Sequence, residues 1–171
     1  MNGRLAMMAE AARMLDRQLQ DGSLVRGILR QHEQDIMEQQ HIQLLEGKGS
    51  DGNDLRPYYT EDLQPHGYFK SQQSASAYMA WKESLNYPYS VERNSDAPNL
   101  YINGRFYSEM EVKFEADSMM IAPSTGYAAQ IMAKYGLHRF GLSALKWQVM
   151  MQEKGVQSEI ENEIKRILYG N

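Results

Sequence analysis

The chain has 171 residues, of which 42% are hydrophobic and 23% charged, and its formal net charge is −4 at pH 7. This length supports one domain, and the interleaved charges contain no Lys/Arg tract of the kind that neutralises a DNA backbone. The absence of cysteine excludes disulfides and thiolate chemistry, while the short apolar runs and Glu10 near the start argue against a membrane span and a secretory signal.

The first 46 residues predict two helices. Apolar residues recur at spacings of three and four, which predicts a helix over residues 4–20; this stripe consists of Leu5, Met8, Ala12, Leu15 and Leu19. A second helix is predicted from about Leu24 to Leu45, with Ser23 as its N-cap. Because the middle of that helix is polar, we expect its packed face to be narrow or to be completed by a partner.

Residues 47–99 predict a loop followed by an extended arm. Residues 47–54 are rich in Gly, Asp and Asn, and residues 55–99 have an irregular pattern with one short helix predicted over residues 74–85. Long loops in compact domains are often interface elements. Six aromatic residues are too close together for all of them to enter one small core, and tyrosine is favoured at interfaces. The predicted interface residues in this arm are Tyr58, Tyr59, Tyr68, Phe69, Tyr87 and Tyr89.

Residues 100–122 predict a small antiparallel sheet. A strand over residues 105–115 is indicated by strict alternation, with Phe106 and Val112 on a dry face. Asn103-Gly104 favours a hairpin turn from a strand at residues 100–102, and the run Met119–Ala122 predicts a return strand. The polar face of the long strand is predicted to be solvated or to contact neighbouring subunits through Arg105, Tyr107, Glu109 and Glu111.

Three helices are predicted after the sheet. Ser124 or Thr125 is expected to cap the first and Gly136 to end it, and Ser143 to cap the second, which runs to about Glu153. After Gly155 a last helix places four β-branched residues on one face, namely Val156, Ile160, Ile164 and Ile167. The predicted fold is α+β, a small antiparallel sheet flanked by helices, in one domain with regions 1–46, 47–99 and 100–171.

No motif of the chain predicts an enzyme. Residues 51–62 begin like a calcium loop, but Leu55 and Arg56 stand where a ligand and a glycine are needed. The S-x-x-K match at Ser143 lacks an accompanying Lys-Thr-Gly, and the four histidines lack metal-ligand spacing. We therefore expect no catalytic residues, no cofactor and no metal.

The chain resembles the virion-morphogenesis and tail-completion proteins of tailed bacteriophages, of the type found in Bacteroidetes phages. The resemblance rests on the order of a polar N-terminal helix, a Gly-Arg-hydrophobic entry into an alternating strand, a return strand, a Tyr-Ala helix, and an Arg-Phe-Gly-Leu-Ser element. In this chain these elements are Gly104-Arg105-Phe106, 110–115, 119–123, Tyr127-Ala128, Tyr135-Gly136 and 139–143. The Tyr-rich insert at residues 60–99 is a departure from the pattern.

The resemblance implies a structural virion protein at the head–tail junction. Such a protein forms a ring, here of six or twelve copies, beside adjacent neck, portal or tail proteins, with DNA passing through without sequence-specific contacts and with no membrane partner. In a ring, two different faces of each subunit must be complementary, and strand 105–115 is a candidate for edge pairing. The alternative is a cytoplasmic adaptor that uses the Tyr-rich loop to bind a protein partner.

Overall fold

A computed structural model describes residues 2–55, 57, 69, 71–93, 96–116, 118–124, 126, 128–136 and 140–170, without the side chains of residues 2–4, 134 and 135. The helices are α1 (Asn2–Gln20), α2 (Ser23–Gln31), α3 (Glu33–Leu45), α4 (Gln72–Glu83), α5 (Arg105–Ser108), α6 (Ala128–Tyr135), α7 (Ala144–Gln152) and α8 (Val156–Tyr169). The strands are β1 (Met110–Phe114) and β2 (Met119–Pro123). The predicted α+β fold, with a small antiparallel sheet flanked by helices, is confirmed.

The region predicted as one helix from Leu24 to Leu45 is two helices, because the backbone leaves helical geometry at His32 (φ −98°, ψ 19°). The His32 N–H donates to the carbonyl of Leu29 at 3.1 Å, which tightens the end of α2. The prediction of Ser23 as an N-cap is also wrong. Ser23 is the first residue of α2, and its backbone N–H donates to Asp21 Oδ1 at 2.8 Å.

β1 and β2 pair antiparallel, with Val112 opposite Ile121 and Phe114 opposite Met119. Along β1 the predicted alternation holds, since Met110 and Val112 are buried and Glu111 and Lys113 are exposed. The one-sided burial follows from the two-residue period of a strand, which directs alternate side chains to opposite faces.

The predicted strand does not extend over residues 105–109, and residues 100–102 are not a strand. Residues 105–108 form the single turn α5, and the backbone N–H of Arg105 donates to Asn103 Oδ1 at 3.1 Å. This Asx hydrogen bond favours a turn over an extended entry. The turn brings Phe106 and Tyr107 together into the core, with 3% and 4% of their surfaces exposed, whereas a strand would have placed them on opposite faces.

The boundaries of the later helices follow the predicted signals. Gly136 has a φ of 82° and donates its N–H to the carbonyl of Met132 at 2.7 Å, which ends α6. Ser143 caps α7, its hydroxyl accepting from the Lys146 N–H at 3.4 Å. Ser124 is not the cap of α6, because that helix begins four residues later, at Ala128. The Ser124 hydroxyl instead donates to the Glu109 carbonyl at 2.7 Å, near the start of β1; Thr125 lies outside the described residues.

Two apolar clusters form the core, and α3 contributes to both. The first lies between α1, α2, α7, α8 and one face of the sheet, and its members include Leu15, Leu24, Ile28, Ile36, Val112, Ile121, Met150 and Val156. As predicted, Ile160, Ile164 and Ile167 of α8 pack against it with Val156. The second lies beyond the C-terminal half of α3 and contains Leu44, Leu45, Leu55, Phe106, Tyr107, Met110 and Phe140.

The loop after α3 closes tightly on residue 97. A Cβ at Gly47 would lie 2.6 Å from the Cβ of Ala97, and its φ of 77° is one that side chains rarely adopt. The Leu55 N–H donates to the Gly47 carbonyl at 2.6 Å, which delivers Leu55 into the second cluster. The loop predicted over residues 47–54 is confirmed, as is the short helix predicted over residues 74–85, which is α4.

Candidate protein interface

Helix α1 carries more exposed large apolar side chains than any other described element. Within its apolar stripe, Leu15 is buried, with 8% of its surface exposed. Leu5, Met8 and Leu19 instead have 66%, 45% and 47% of their surfaces exposed. Clustered exposed apolar side chains, unlike single ones, indicate a contact surface. The exposed flank of α1 that carries Leu5, Met8 and Leu19 is therefore a candidate interface.

The composition of α1 explains why this segment is helical without being covered. Ala, Leu, Met, Arg and Gln, which are strong helix formers, dominate its sequence. Yet residues 5–10 are all exposed, and most of the stability of a helix in a protein comes from packing of its apolar face. A partner that covers the stripe would stabilise both the helix and the contact.

The six aromatic residues predicted as an interface in the arm do not form one surface among the described residues. Tyr58, Tyr59 and Tyr68 lie outside the described residues. The ring of Phe69 lies 5.0 Å from that of Tyr78, whose ring is 5.3 Å from that of Trp81. Trp81 is 44% exposed, so this row of rings along α4 reaches the surface.

Tyr87 and Tyr89 pack partly against the second core cluster. The Tyr87 hydroxyl donates to the Lys82 carbonyl, and the Arg93 guanidinium lies 4.1 Å from the centre of its ring. The ring and the hydroxyl of Tyr87 thus both contact residues of the same chain. Tyr89 instead lines an open groove.

That groove, of about 750 Å³, lies beside α2 and α3 and is also lined by Arg30, Gln34, Met37 and His41. His41 Nε2 lies 3.1 Å from the carbonyl oxygen of Tyr107. Burial lowers the pKa of His41, which favours a neutral imidazole that donates to this carbonyl. Because the groove presents charges of both signs, it does not select an anionic or a cationic ligand.

The predicted outer face of β1 is only partly present. Glu109 pairs with Arg105 at 2.5 Å and Glu111 with Lys113 at 2.9 Å, and Arg105 and Glu111 are exposed. The prediction that Tyr107 lies on this face is wrong, because α5 turns its side chain inward and its hydroxyl donates to the Asn99 carbonyl. Tyr107 is a core residue whose polar tip is satisfied internally.

Two buried glutamines of α3 hold the segment that leads into α7. Gln43 Nε2 donates to the carbonyl of Gly141 at 2.8 Å, and Gln43 Oε1 accepts from the N–H of Ser143 at 2.8 Å. Gln40 Oε1 accepts from the N–H of Gly141 at 2.8 Å. Part of the polar middle of α3 is therefore an internal face that satisfies buried backbone groups. Among the described residues, the buried Gln40 Nε2 has no hydrogen-bond partner.

A network of charged groups fastens α8 to the junction of α2 and α3. The two ring nitrogens of His32 lie 3.0 Å from Asp35 Oδ2 and 3.1 Å from Glu159 Oε1, and Lys154 pairs with Asp35 and Glu38 at 2.9 and 2.7 Å. The hydrogen bond to Asp35 raises the pKa of His32. Lys154 and then His32 lower the pKa of Asp35. Two carboxylates around one imidazole favour the doubly protonated ring.

Lys82 is a buried cation, 4% exposed, whose ammonium group donates to the Tyr101 carbonyl. Burial, and next the charge of Arg93, lower the pKa of Lys82 to about 8. Buried Lys146 is different, because its ammonium group pairs with Glu46 Oε1 at 2.7 Å. Lys146 joins the end of α3 to α7, while Lys82 joins α4 to the segment before α5.

Sequence reasoning missed the glutamine contacts and the His32 network. The only signal for the glutamines was the unusually polar middle of a helix with apolar ends. The His32 network joins residues 127 positions apart, so no local spacing indicates it. Among the residues described, no group of three or more His, Asp or Glu is placed to hold a metal ion, and no helix is long and apolar enough to cross a bilayer.

No protein-family model, curated protein or solved structure matches this chain.

Proposed function

We propose that this chain is a structural virion subunit of a tailed phage, one that assembles with copies of itself at the head–tail junction as a tail-completion or connector protein. The observation that carries the proposal is the uncovered apolar stripe of α1, where Leu5, Met8 and Leu19 are each at least 45% exposed. A chain that presents such an apolar face is suited to packing against other subunits.

The order of elements also supports the proposal. The resemblance to tail-completion proteins names, among its elements, an alternating strand, a return strand, a helix that ends at a glycine, and an Arg-Phe-Gly-Leu-Ser element before a helix. Residues 110–114, 119–123, 128–136 and 141–143 have those conformations in that order. The Gly-Arg-hydrophobic entry into the strand leads here into the turn α5, and Tyr127 and Arg139 lie outside the described residues. In a virion the subunit would form a ring of six or twelve copies, beside portal, neck or tail proteins and around the DNA channel.

The ring contact requires a second surface, because head-to-tail neighbours use two different faces. Within the described residues each strand pairs only with the other, so one edge of β1 and one edge of β2 are candidates for strand addition to a neighbour. Arg105 and Glu111 lie near the β1 edge and would flank such a contact.

An adaptor that holds a protein partner is the second candidate function. The row of rings formed by Phe69, Tyr78 and Trp81 favours it, because exposed tryptophan next to other aromatics is typical of binding hot spots. This surface lies on α4, apart from α1. A substitution can therefore test it separately.

The experiment is light scattering coupled to size exclusion, followed by negative-stain electron microscopy of the full chain. We expect particles of six or twelve copies, present in Trp81→Ala as in the unsubstituted chain. A chain that stays monomeric at every concentration contradicts the proposal. If the chain is monomeric and Trp81→Ala abolishes capture of a single protein partner, the adaptor function replaces it.

A further inference from the structure

The stripe of α1 has two parts that differ in what covers them. Leu15, with half-buried Ala11 and Gln18 beside it, faces the protein's own α8 and α2. Leu5, Met8 and Leu19 lie on the adjoining flank of the helix, which the described residues of the chain leave exposed. One helix therefore has an internal contact and, next to it, an open apolar flank.

The spacing of the stripe is that of a coiled-coil seam. Leu5, Met8, Ala12, Leu15 and Leu19 are separated by three, four, three and four residues. These are the a and d positions of successive heptads. Leu15 is covered by the chain's own α8 and α2, so the open part of the seam consists of Leu5, Met8, Ala12 and Leu19. This part is complementary to a second seam with the same spacing, which another copy of α1 provides.

The residues beside the seam fit a second copy of α1. With Leu5 at an a position, Ala9 and Asp16 occupy the e positions beside the open flank, and the small side chain of Ala9 lets two helices approach closely. The g positions, Ala11 and Gln18, are half-buried on the side that faces α8 and α2. Glu10, Arg13 and Arg17 lie at the outer b and f positions. Those three charges point away from the seam, and Asp16 is the one charged residue at an e or g position between residues 5 and 19, so pairing two copies brings few like charges together.

The rest of the protein packs against only one part of α1, and this favours one direction of pairing. The body of the protein packs near Leu15, whereas residues 5–10 are exposed on every side. A parallel pair would bring two bodies to the same end of the helices. An antiparallel pair places each body beside the open half of its partner's helix, and it opposes the two helix dipoles favourably.

We propose that α1 pairs antiparallel with α1 of a second copy of this chain, with Leu5 and Met8 of one copy packed near Leu19 and Ala12 of the other. The proposal rests on the self-association proposed above and names its contact. Pairing of this kind is two-fold, so it is separate from the contact that closes a ring. It would join two six-membered rings into an assembly of twelve.

The contact is expected to be weak by itself. A helix of 19 residues is about 28 Å long, and one face of two heptads lies at the low end of specific interface sizes. The pair gains strength when several such contacts form in the same assembly.

Because the chain has no cysteine, single-cysteine variants of the full chain give a direct test. Ala12→Cys lies near the middle of the seam and Arg13→Cys on the outer face, and both residues are exposed, so both variants should fold. Under mild oxidation we expect disulfide dimers to form from Ala12→Cys at least roughly tenfold faster than from Arg13→Cys, since a paired seam raises the effective thiol concentration.

Cysteines at the ends of the seam test the direction. In an antiparallel pair the two copies of residue 5 are roughly 20 Å apart, beyond the reach of a disulfide. Leu5→Cys alone should therefore give no dimer, while a mixture of Leu5→Cys and Leu19→Cys should. Dimers from Leu5→Cys alone would overturn the antiparallel arrangement, and equal rates for Ala12→Cys and Arg13→Cys would overturn the pairing.

Vesicles and microscopy separate the remaining outcomes. If the chain sediments with phosphatidylserine vesicles and Leu5→Glu abolishes this while no seam disulfide forms, the stripe binds lipid and the pairing is wrong. Rings seen by microscopy without seam disulfides would leave the proposed function in place and remove only the pairing. Seam disulfides in a chain that never exceeds a dimer would keep the pairing and remove the ring.

Discussion

Helices α1 and α3 reverse the usual relation between polarity and burial. α1 is apolar along one stripe, yet Leu5 is 66% exposed. α3 is polar in its middle, yet only 0% and 1% of the surfaces of Gln40 and Gln43 are exposed. Burial here follows the availability of partners, because Gln43 and the Oε1 atom of Gln40 find backbone groups, whereas only part of α1 finds an apolar surface.

The physical basis of this reversal is the cost of unpaired polar groups. A buried amide without partners is expensive, but one that pairs both its donor and its acceptor is close to neutral. The side-chain amide of Gln43 uses both its donor and its acceptor on the segment 141–143. Its burial therefore also supplies hydrogen-bond partners to two backbone groups. An exposed leucine has no comparable penalty.

Among the polar side chains, the largest loss of stability is expected at Gln43. Gln43→Ala leaves the Gly141 carbonyl and the Ser143 N–H buried without partners. We expect the free energy of unfolding to fall by about 2–4 kcal/mol, measured by urea denaturation. The matched control is Gln34→Ala on the exposed side of α3, which should change it by under about 0.5 kcal/mol. Equal effects at the two positions would mean that the buried amide does not hold the segment.

A smaller effect is expected from the network that fastens α8, and through it α1, to α3. The pKa of His32 is raised in the folded protein. The stability it contributes is therefore fully present below the unfolded pKa of about 6.5 and is lost as pH rises through the folded pKa. We expect under about 1 kcal/mol, because Asp35 and Glu159 are 32% and 45% exposed.

The measurement is the difference in unfolding free energy between the unsubstituted chain and His32→Gln at about pH 5.5 and about pH 7.5. The difference should shrink at the higher pH. His41 acts in the opposite direction, since its pKa is lowered, but it is common to both chains and cancels. The chosen window also stays below the pKa of Lys82, about 8. A difference that grows with pH would contradict the assignment.

The smallest effect on the monomer is expected at the open flank of α1. Leu5→Gln combined with Met8→Gln should change the free energy of unfolding by under about 0.5 kcal/mol, measured in dilute protein because association adds apparent stability. Ile36→Ala in the first core cluster should lower it by about 2–5 kcal/mol. If the free energy of unfolding of the α1 variant falls by more than about 1 kcal/mol, Leu5 and Met8 belong to the monomer's own core. The difference between α1 and α3 described above would then be wrong.

The parts of the fold that the sequence predicted are those governed by local chemistry. The apolar spacing of α1, the alternation along residues 110–114, the cap at Ser143 and the glycine at 136 each act within a few residues, and each feature formed as predicted. The same local rules misjudged residues 105–108, because an Asx hydrogen bond from Asn103 outweighs an alternating pattern that lasts only a few residues.

The parts that the sequence did not predict depend on contacts between distant residues. Nothing near Gln43 indicates that residues 141–143 will meet it, and nothing near His32 indicates Glu159. The candidate interface on α1 shows the same limit. Its spacing was visible, but which residues of the stripe are covered depends on where α8 and α2 lie.

The glutamine contacts also affect how the chain folds. Gln43 and Ser143 are 100 residues apart, and the first core cluster joins α1 and α2 to α7 and α8. Contacts of such separation close slowly, because the loop between them must first be ordered. During synthesis the first three helices therefore leave the ribosome before the residues that complete their core, and their apolar faces stay open until α7 and α8 have been made.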